Sequence, residues 1–144
     1  MRVIICLDSK NGTLFNGRRQ SMDRCVRDKI RLLSQNAPLW MNVYSAKQFD
    51  NDHVPIHDLH VSEHFLDRAK ENDFCFVEGL QLAPYQDRIK QLIIFYWNRC
   101  YPASQHFDLD LNSSWVLRTE QGFSGSSHDN ITLKIYNKEE FIKW

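Results

Sequence analysis

Two short apolar runs separated by an amphipathic stretch constrain this chain more than any other feature. Phe74-Cys75-Phe76-Val77 fits a buried strand, and Glu78-Gly79 breaks it. Leu82 to Leu92 carries apolar residues at helical spacing, with Pro84 and Tyr85 tolerated in the first turn. Leu92 to Trp97 is a second buried run, rich in β-branched and aromatic residues. Two such strands joined by a helix predict a parallel, right-handed crossover covered on both faces.

The remainder of the chain extends this pattern. Arg2 to Leu7 predicts a central first strand, and Asp8 to Gly12 a turn. Thr13 to Gln20 reads as a polar loop. Ser21 suits an N-cap for a helix from Met22 to Ser34, with Met22, Cys25, Val26, Ile30 and Leu33 on one stripe. Leu39 to Tyr44 predicts the second strand, Asp58 to Val61 a short one, and Glu63 to Lys70 a helix capped by Ser62. Trp115 to Glu120 and Ile131 to Asn137 alternate as half-buried antiparallel neighbours. Glu139 to Trp144 reads as an amphipathic tail. The sum predicts a three-layer α/β fold, a mostly parallel sheet with an antiparallel C-terminal hairpin.

A length of 144 residues suits a single domain spanning 1–144, and nine Phe, five Tyr and four Trp supply its core. Eighteen basic residues balance eighteen acidic ones, so bulk charge recruits neither nucleic acid nor membrane. Residues 1–37 nevertheless hold eight basic side chains against three acidic ones, which favours an anionic ligand there. Cys6, Cys25, Cys75 and Cys100 form no CxxC pair and read as buried free thiols. The N-terminus is one strand long, too short for a secretion signal, and the chain reads as cytoplasmic.

The order of these parts resembles the dihydrofolate reductase family. MRVIICLDSKNG looks like its first strand and loop, and SMDRCVRDKI like the helix with the buried carboxylate, here Asp23. LWMNVYSAKQF looks like the strand and helix start that meet the cofactor phosphates. Phe74 to Leu111 looks like the crossover, and WVLRTEQGFSGSSHDNITLKIY like the final hairpin. The resemblance implies NADPH as cofactor and a pterin as substrate. It places Asp23 as the catalytic anchor, with Leu14, Arg27 and Phe95 around the substrate. Asn42, Tyr44, Ser45, Glu78 and Gly79 fall on the cofactor side.

Four departures from the family argue against reductase chemistry. The loop after Gly12 lacks the Pro-Trp that helps roof the pterin. The segment between Phe49 and Phe74 is too short for the full adenosine-binding half. The glycine pair after the fifth strand is here Val77-Glu78-Gly79, and a carboxylate at Glu78 repels a pyrophosphate. The pterin-bonding threonine aligns with Phe95. The leading expectation is therefore a family-like domain that binds a small planar or anionic metabolite in the retained cleft. A working NADPH-dependent pterin reductase is the alternative. A protein-interaction module, docking a partner or a second copy through Phe141 and Trp144, is a third.

Each candidate residue also has a plain structural reading. Asp23 would stabilise the first helical turn and pair with Arg27. Asn42, Tyr44 and Ser45 would be strand-end polarity and a cap. Arg18, Arg19, Arg24 and Arg27 would line an anion site beside Asp23 or simply be solvated. His53, His57, His60 and His64 are close in sequence, but their spacing fits no metal-ligand motif, and no metal is expected. Gly122 to Asp129 reads as a flexible hairpin loop. Neighbours such as Ser126, Ser127, His128 and Asp129 do not make a catalytic triad by adjacency alone.

Overall fold

Strand β1 (Arg2–Leu7) runs along the middle of a seven-stranded sheet, and its side chains alternate between two separate cores. Val3, Ile5 and Leu7 enter one core with Cys75, Val77, Leu92 and Ile94. Ile4 enters the other with Phe74, Phe76, Ile93 and Phe95. The computed structural model describes residues 1–139, and the expected docking residues Phe141 and Trp144 lie outside them.

In chain order β1 is followed by β2 (Gly12–Phe15), β3 (Arg18–Arg19), α1 (Arg24–Leu33), β4 (Leu39–Met41) and α2 (Val43–Lys47). Then come β5 (Leu59–Val61), α3 (Phe65–Arg68), β6 (Phe74–Phe76), β7 (Gln91–Tyr96), β8 (Gln105–His106), β9 (Trp115–Phe123) and β10 (Ile131–Lys138). The main sheet has the order β5-β4-β6-β1-β7-β10-β9. Its first five strands are parallel, and β10 pairs antiparallel with both β7 and β9. Helix α1 covers one face through Val26 and Ile30. Phe65 and Leu66 of α3, with Leu82 and Ile89, cover the other. The architecture is the expected three-layer α/β sheet with an antiparallel C-terminal hairpin. No helix among the described residues is long and apolar enough to cross a membrane.

Several elements differ from expectation for identifiable reasons. The crossover from Leu82 to Leu92 holds only a 3-10 turn, Ala83–Arg88, rather than an α-helix. Pro84 occupies its start, the Leu82 and Ala83 N–H groups donate to the Asp108 carboxylate (both 2.9 Å), and β7 already begins at Gln91. Too few residues remain to repay helix nucleation. Strand β4 stops at Met41 because Asn42 caps α2, accepting from the Ser45 N–H at 2.9 Å. Helix α3 is shorter than Glu63–Lys70, and His64 rather than Ser62 precedes it.

The segment expected to be a polar loop at 13–20 is a hairpin, β2–β3, which joins β8 in a second, three-stranded sheet. Asn16 (φ 51°) and Gly17 (φ 75°) both take the left-handed backbone that a two-residue hairpin turn requires. The thiols also differ from expectation. Cys75 is buried, and desolvation pushes it up to about 12, but Cys100 is exposed.

Candidate functional site

The parallel strands end on one side of the sheet, where an open α/β fold offers its crevice. Two clusters of polar side chains fill that side. The first is built on Asp23. The helix begins at Arg24 rather than Met22, and Asp23 rather than Ser21 is its N-cap, with the Cys25 N–H donating to Oδ1 at 2.8 Å. Met22 is left exposed.

The loop of the C-terminal hairpin then closes over the same carboxylate. Ser126 donates its N–H to Oδ1 at 3.0 Å and its hydroxyl at 3.2 Å. Ser127 donates its N–H to Oδ2 at 2.8 Å and its hydroxyl at 3.1 Å. His128 Nδ1 lies 3.0 Å from Oδ2. Gly125 makes the approach feasible, because a Cβ there would collide with the carboxylate and come within 2.7 Å of Ile131 Cδ1.

Asp23 is 2% exposed. Burial alone would push its carboxyl up. The hydrogen bonds from Ser127, His128, Ser126 and Cys25 outweigh that and hold it well below the usual carboxylate range. His128, 4% exposed, stacks on Trp97 with ring centroids 4.5 Å apart. Its Nε2 lies 2.8 Å from Ser21 Oγ and 3.2 Å from the Tyr101 hydroxyl. The loop expected to be flexible is thus pinned by a buried network.

The second cluster occupies the positions that the resemblance assigns to the cofactor. Arg19 forms a two-pronged ion pair with Glu78 (2.9 and 3.0 Å) and lies over the Tyr44 ring at 4.2 Å. Its backbone N–H donates to the Tyr44 hydroxyl at 3.0 Å, and Gln48 donates to Glu78 at 3.1 Å. Glu78 is therefore neutralised by the chain's own cation. Gly79, at φ 78°, carries no side chain where Leu14 packs, and a Cβ there would come within 2.6 Å of Leu14 Cγ. Asn42 and Ser45 form the α2 cap, and Ser45 is fully buried.

The remaining candidates are dispersed. Phe95 is fully buried in the α1-side core, edge-on to Phe123. Arg27 turns to Asp52 (2.7 and 2.9 Å) rather than to Asp23, and Arg31 joins the same carboxylate at 2.8 Å. Arg24 reaches Asp28 at 4.0 Å. Of the four arginines considered for an anion site, only Arg18 and Arg19 come together. With Phe15, Asn16, Gln20, Tyr101 and Pro102 they line a cavity of about 530 Å³. His60 stacks on Trp40 and bonds Asp58 at 2.9 Å. No group of three metal-ligating side chains occurs among the described residues.

Sequence reasoning read Ser21 as a helix cap, His128 as part of a flexible hairpin loop and Asp8 as turn chemistry, and gave none of them a place in the site. Asp8 is fully buried just after β1 and accepts from Gly12, Lys10, Gln20 and Tyr101, which ties down two residues of the cavity lining, Gln20 and Tyr101. For β2–β3 the Asn16-Gly17 pair was the available signal. For His128 no local pattern exists.

The buried carboxylates set an acid limit on stability. Arg27, then Arg31, hold Asp52 down to about 2 against burial, and Asp23 lies lower than normal as well. An unfolded aspartate titrates near ~3.9, so both contributions are complete above about pH 4 and are lost as pH falls through the folded values. Thermal melts should give a flat Tm from about pH 5 to 7 and a falling Tm below ~4. A Tm that rises on acidification through that window would contradict the assignment.

No protein-family model matches this chain, and no curated protein does. Among solved structures the chain is similar to dihydrofolate reductase from Enterococcus faecalis complexed with NADP(H) and RAB-propyl. The TM-score is 0.68 and the identity 7%, over 96% of this chain and 96% of that one. At this identity the likeness shows the fold. The chain has a dihydrofolate-reductase-like fold, as the order of its elements implied.

Proposed function

We propose that this chain is a small-molecule-binding protein whose site is the hairpin-lined cavity at the strand ends, and that its ligand is a small planar anion. One observation carries the reading. Arg18 makes no ion pair among the described residues, yet it lies on a cavity of about 530 Å³ walled by Phe15 and Tyr101. That volume falls within the range of about 300–1,000 Å³ usual for metabolite sites. Aromatic walls with an unpaired guanidinium suit a flat, negatively charged ligand.

Two arrangements weigh against pterin reduction with NADPH. The Asp23 carboxylate already accepts from five N–H or O–H donors besides the imidazole, which leaves it no lone pair aimed at a substrate amidine. The Arg19 guanidinium is already committed to Glu78 at 2.9 Å, at a position that the resemblance assigns to the cofactor side, so it is not free to bind a pyrophosphate.

Thermal-shift and calorimetric titrations with p-aminobenzoate, pterin-6-carboxylate and AMP test the reading. At least one should raise Tm with a dissociation constant below about 1 mM, and Arg18→Glu should weaken it at least about tenfold. A panel in which no member raises Tm would overturn it.

A further inference from the structure

We propose that Ser21, His128 and Asp23 form a nucleophile–base–carboxylate relay that cleaves carboxylic esters at the edge of the cavity. The three residues come from two segments far apart in sequence, joined when the C-terminal hairpin loop docks on the start of α1. Ser21 Oγ lies 2.8 Å from His128 Nε2, and His128 Nδ1 lies 3.0 Å from Asp23 Oδ2. These are the two contacts such a relay requires, in the required order.

The surroundings fix the proton positions. Asp23 is an ionised acceptor surrounded by donors, so the only favourable partner at His128 Nδ1 is an N–H. In the neutral ring Nε2 then carries the lone pair, which receives a hydroxyl proton. Two hydroxyls compete for it, and Ser21 at 2.8 Å is nearer than Tyr101 at 3.2 Å. Stacking on Trp97 holds the imidazole plane. Asp23 has its side chain fully buried, so the carboxylate end of the relay is shielded from water while Ser21 stays half-exposed.

Ser21 adjoins the cavity lining: it follows Gln20 in sequence, and its hydroxyl shares His128 Nε2 with the hydroxyl of Tyr101, both Gln20 and Tyr101 being lining residues. The backbone N–H groups of Ser21 and Met22 donate to no acceptor among the described residues. They are available to an oxyanion beside the nucleophile.

The chemistry balances within these groups. Ser21 Oγ bonds to the ester carbonyl carbon as its proton passes to His128 Nε2. The adduct collapses, the bond to the leaving oxygen breaks, and the Nε2 proton goes to the departing alcohol. Water, deprotonated by the same nitrogen, then attacks the acyl-Ser21 carbonyl. The acid is released and the serine proton restored.

A neutral alkyl fluorophosphonate tests the assignment on the unmodified chain, since attack by Ser21 Oγ displaces fluoride and leaves a stable adduct. Peptide mapping should place the label on Ser21, at a rate about a hundredfold above that of the denatured chain. Ser21→Ala should abolish both the label and turnover of p-nitrophenyl acetate. Absence of label on the folded wild-type chain, or label confined to Ser126 or Ser127, would overturn the relay. The probe carries no charge, so it does not depend on Arg18. A failed label with intact anion binding removes the relay alone, and a Ser21 label without anion binding removes the cavity reading alone.

Discussion

Asp23→Asn is expected to destabilise the fold by about 2–4 kcal/mol, a loss ordinarily associated with breaking a buried, charge-assisted network. Oδ1 accepts from Cys25 and Ser126, and Oδ2 accepts from Ser127 and lies against His128. An asparagine turns one of these oxygens into an NH₂ that faces other donors, so one half of the network becomes donor against donor. The α1 cap and the hairpin loop should loosen together, because one side chain holds both. Urea denaturation measures this as a lower midpoint at nearly constant slope. For a chain of this length the matching fall in Tm is roughly 4–16 °C. A loss below about 0.5 kcal/mol, the size of an ordinary surface substitution, would show that the carboxylate does not organise the loop.

The other large effect is expected at Asp52, which pairs with two arginines of α1. Arg27 and Arg31 are both about nine-tenths buried, and they share this single carboxylate. Asp52→Ala would leave two guanidinium groups without their acceptor, a change expected to cost about 3–5 kcal/mol. The neutral control is instructive. Replacing all three residues together by apolar side chains of similar volume should recover most of the loss, because no buried charge is then left unpaired. Guanidinium melts of the single and triple variants check both statements. A single variant within about 1 kcal/mol of the parent would mean that the arginines find water instead.

The sheet was legible in the sequence because alternation is a local property. Val3, Ile5 and Leu7 against Ile4, and Ile93 and Phe95 against Leu92 and Ile94, mark both faces of central strands without reference to the rest of the chain. The crossover was legible in its direction but not in its conformation. Asp108, a residue outside the segment, captures the N–H groups that a helix start would leave free.

The site was less legible, because its bonds join residues distant in sequence. Asp23 stood out as a buried acid on a helix start, but nothing near it announces Ser126, Ser127 or His128. Glu78 was singled out as a charge repelling a pyrophosphate, and its partner Arg19 was read as part of a loop. Recognising the Asn16-Gly17 turn would have placed Arg19 on a hairpin strand, where it reaches across to Glu78.

The proposed reading turns on the Arg19–Glu78 pair: the chain has a dihydrofolate-reductase-like fold, and its own ion pair at 2.9 Å is proposed to exclude a dinucleotide. An NADPH titration of the purified chain, followed by nicotinamide fluorescence and by calorimetry, tests it most directly. The account predicts no saturable binding up to about 1 mM, corresponding to a binding free energy weaker than about −4 kcal/mol. A dissociation constant in the low micromolar range, about −8 kcal/mol, would contradict it and return the chain to the reductases.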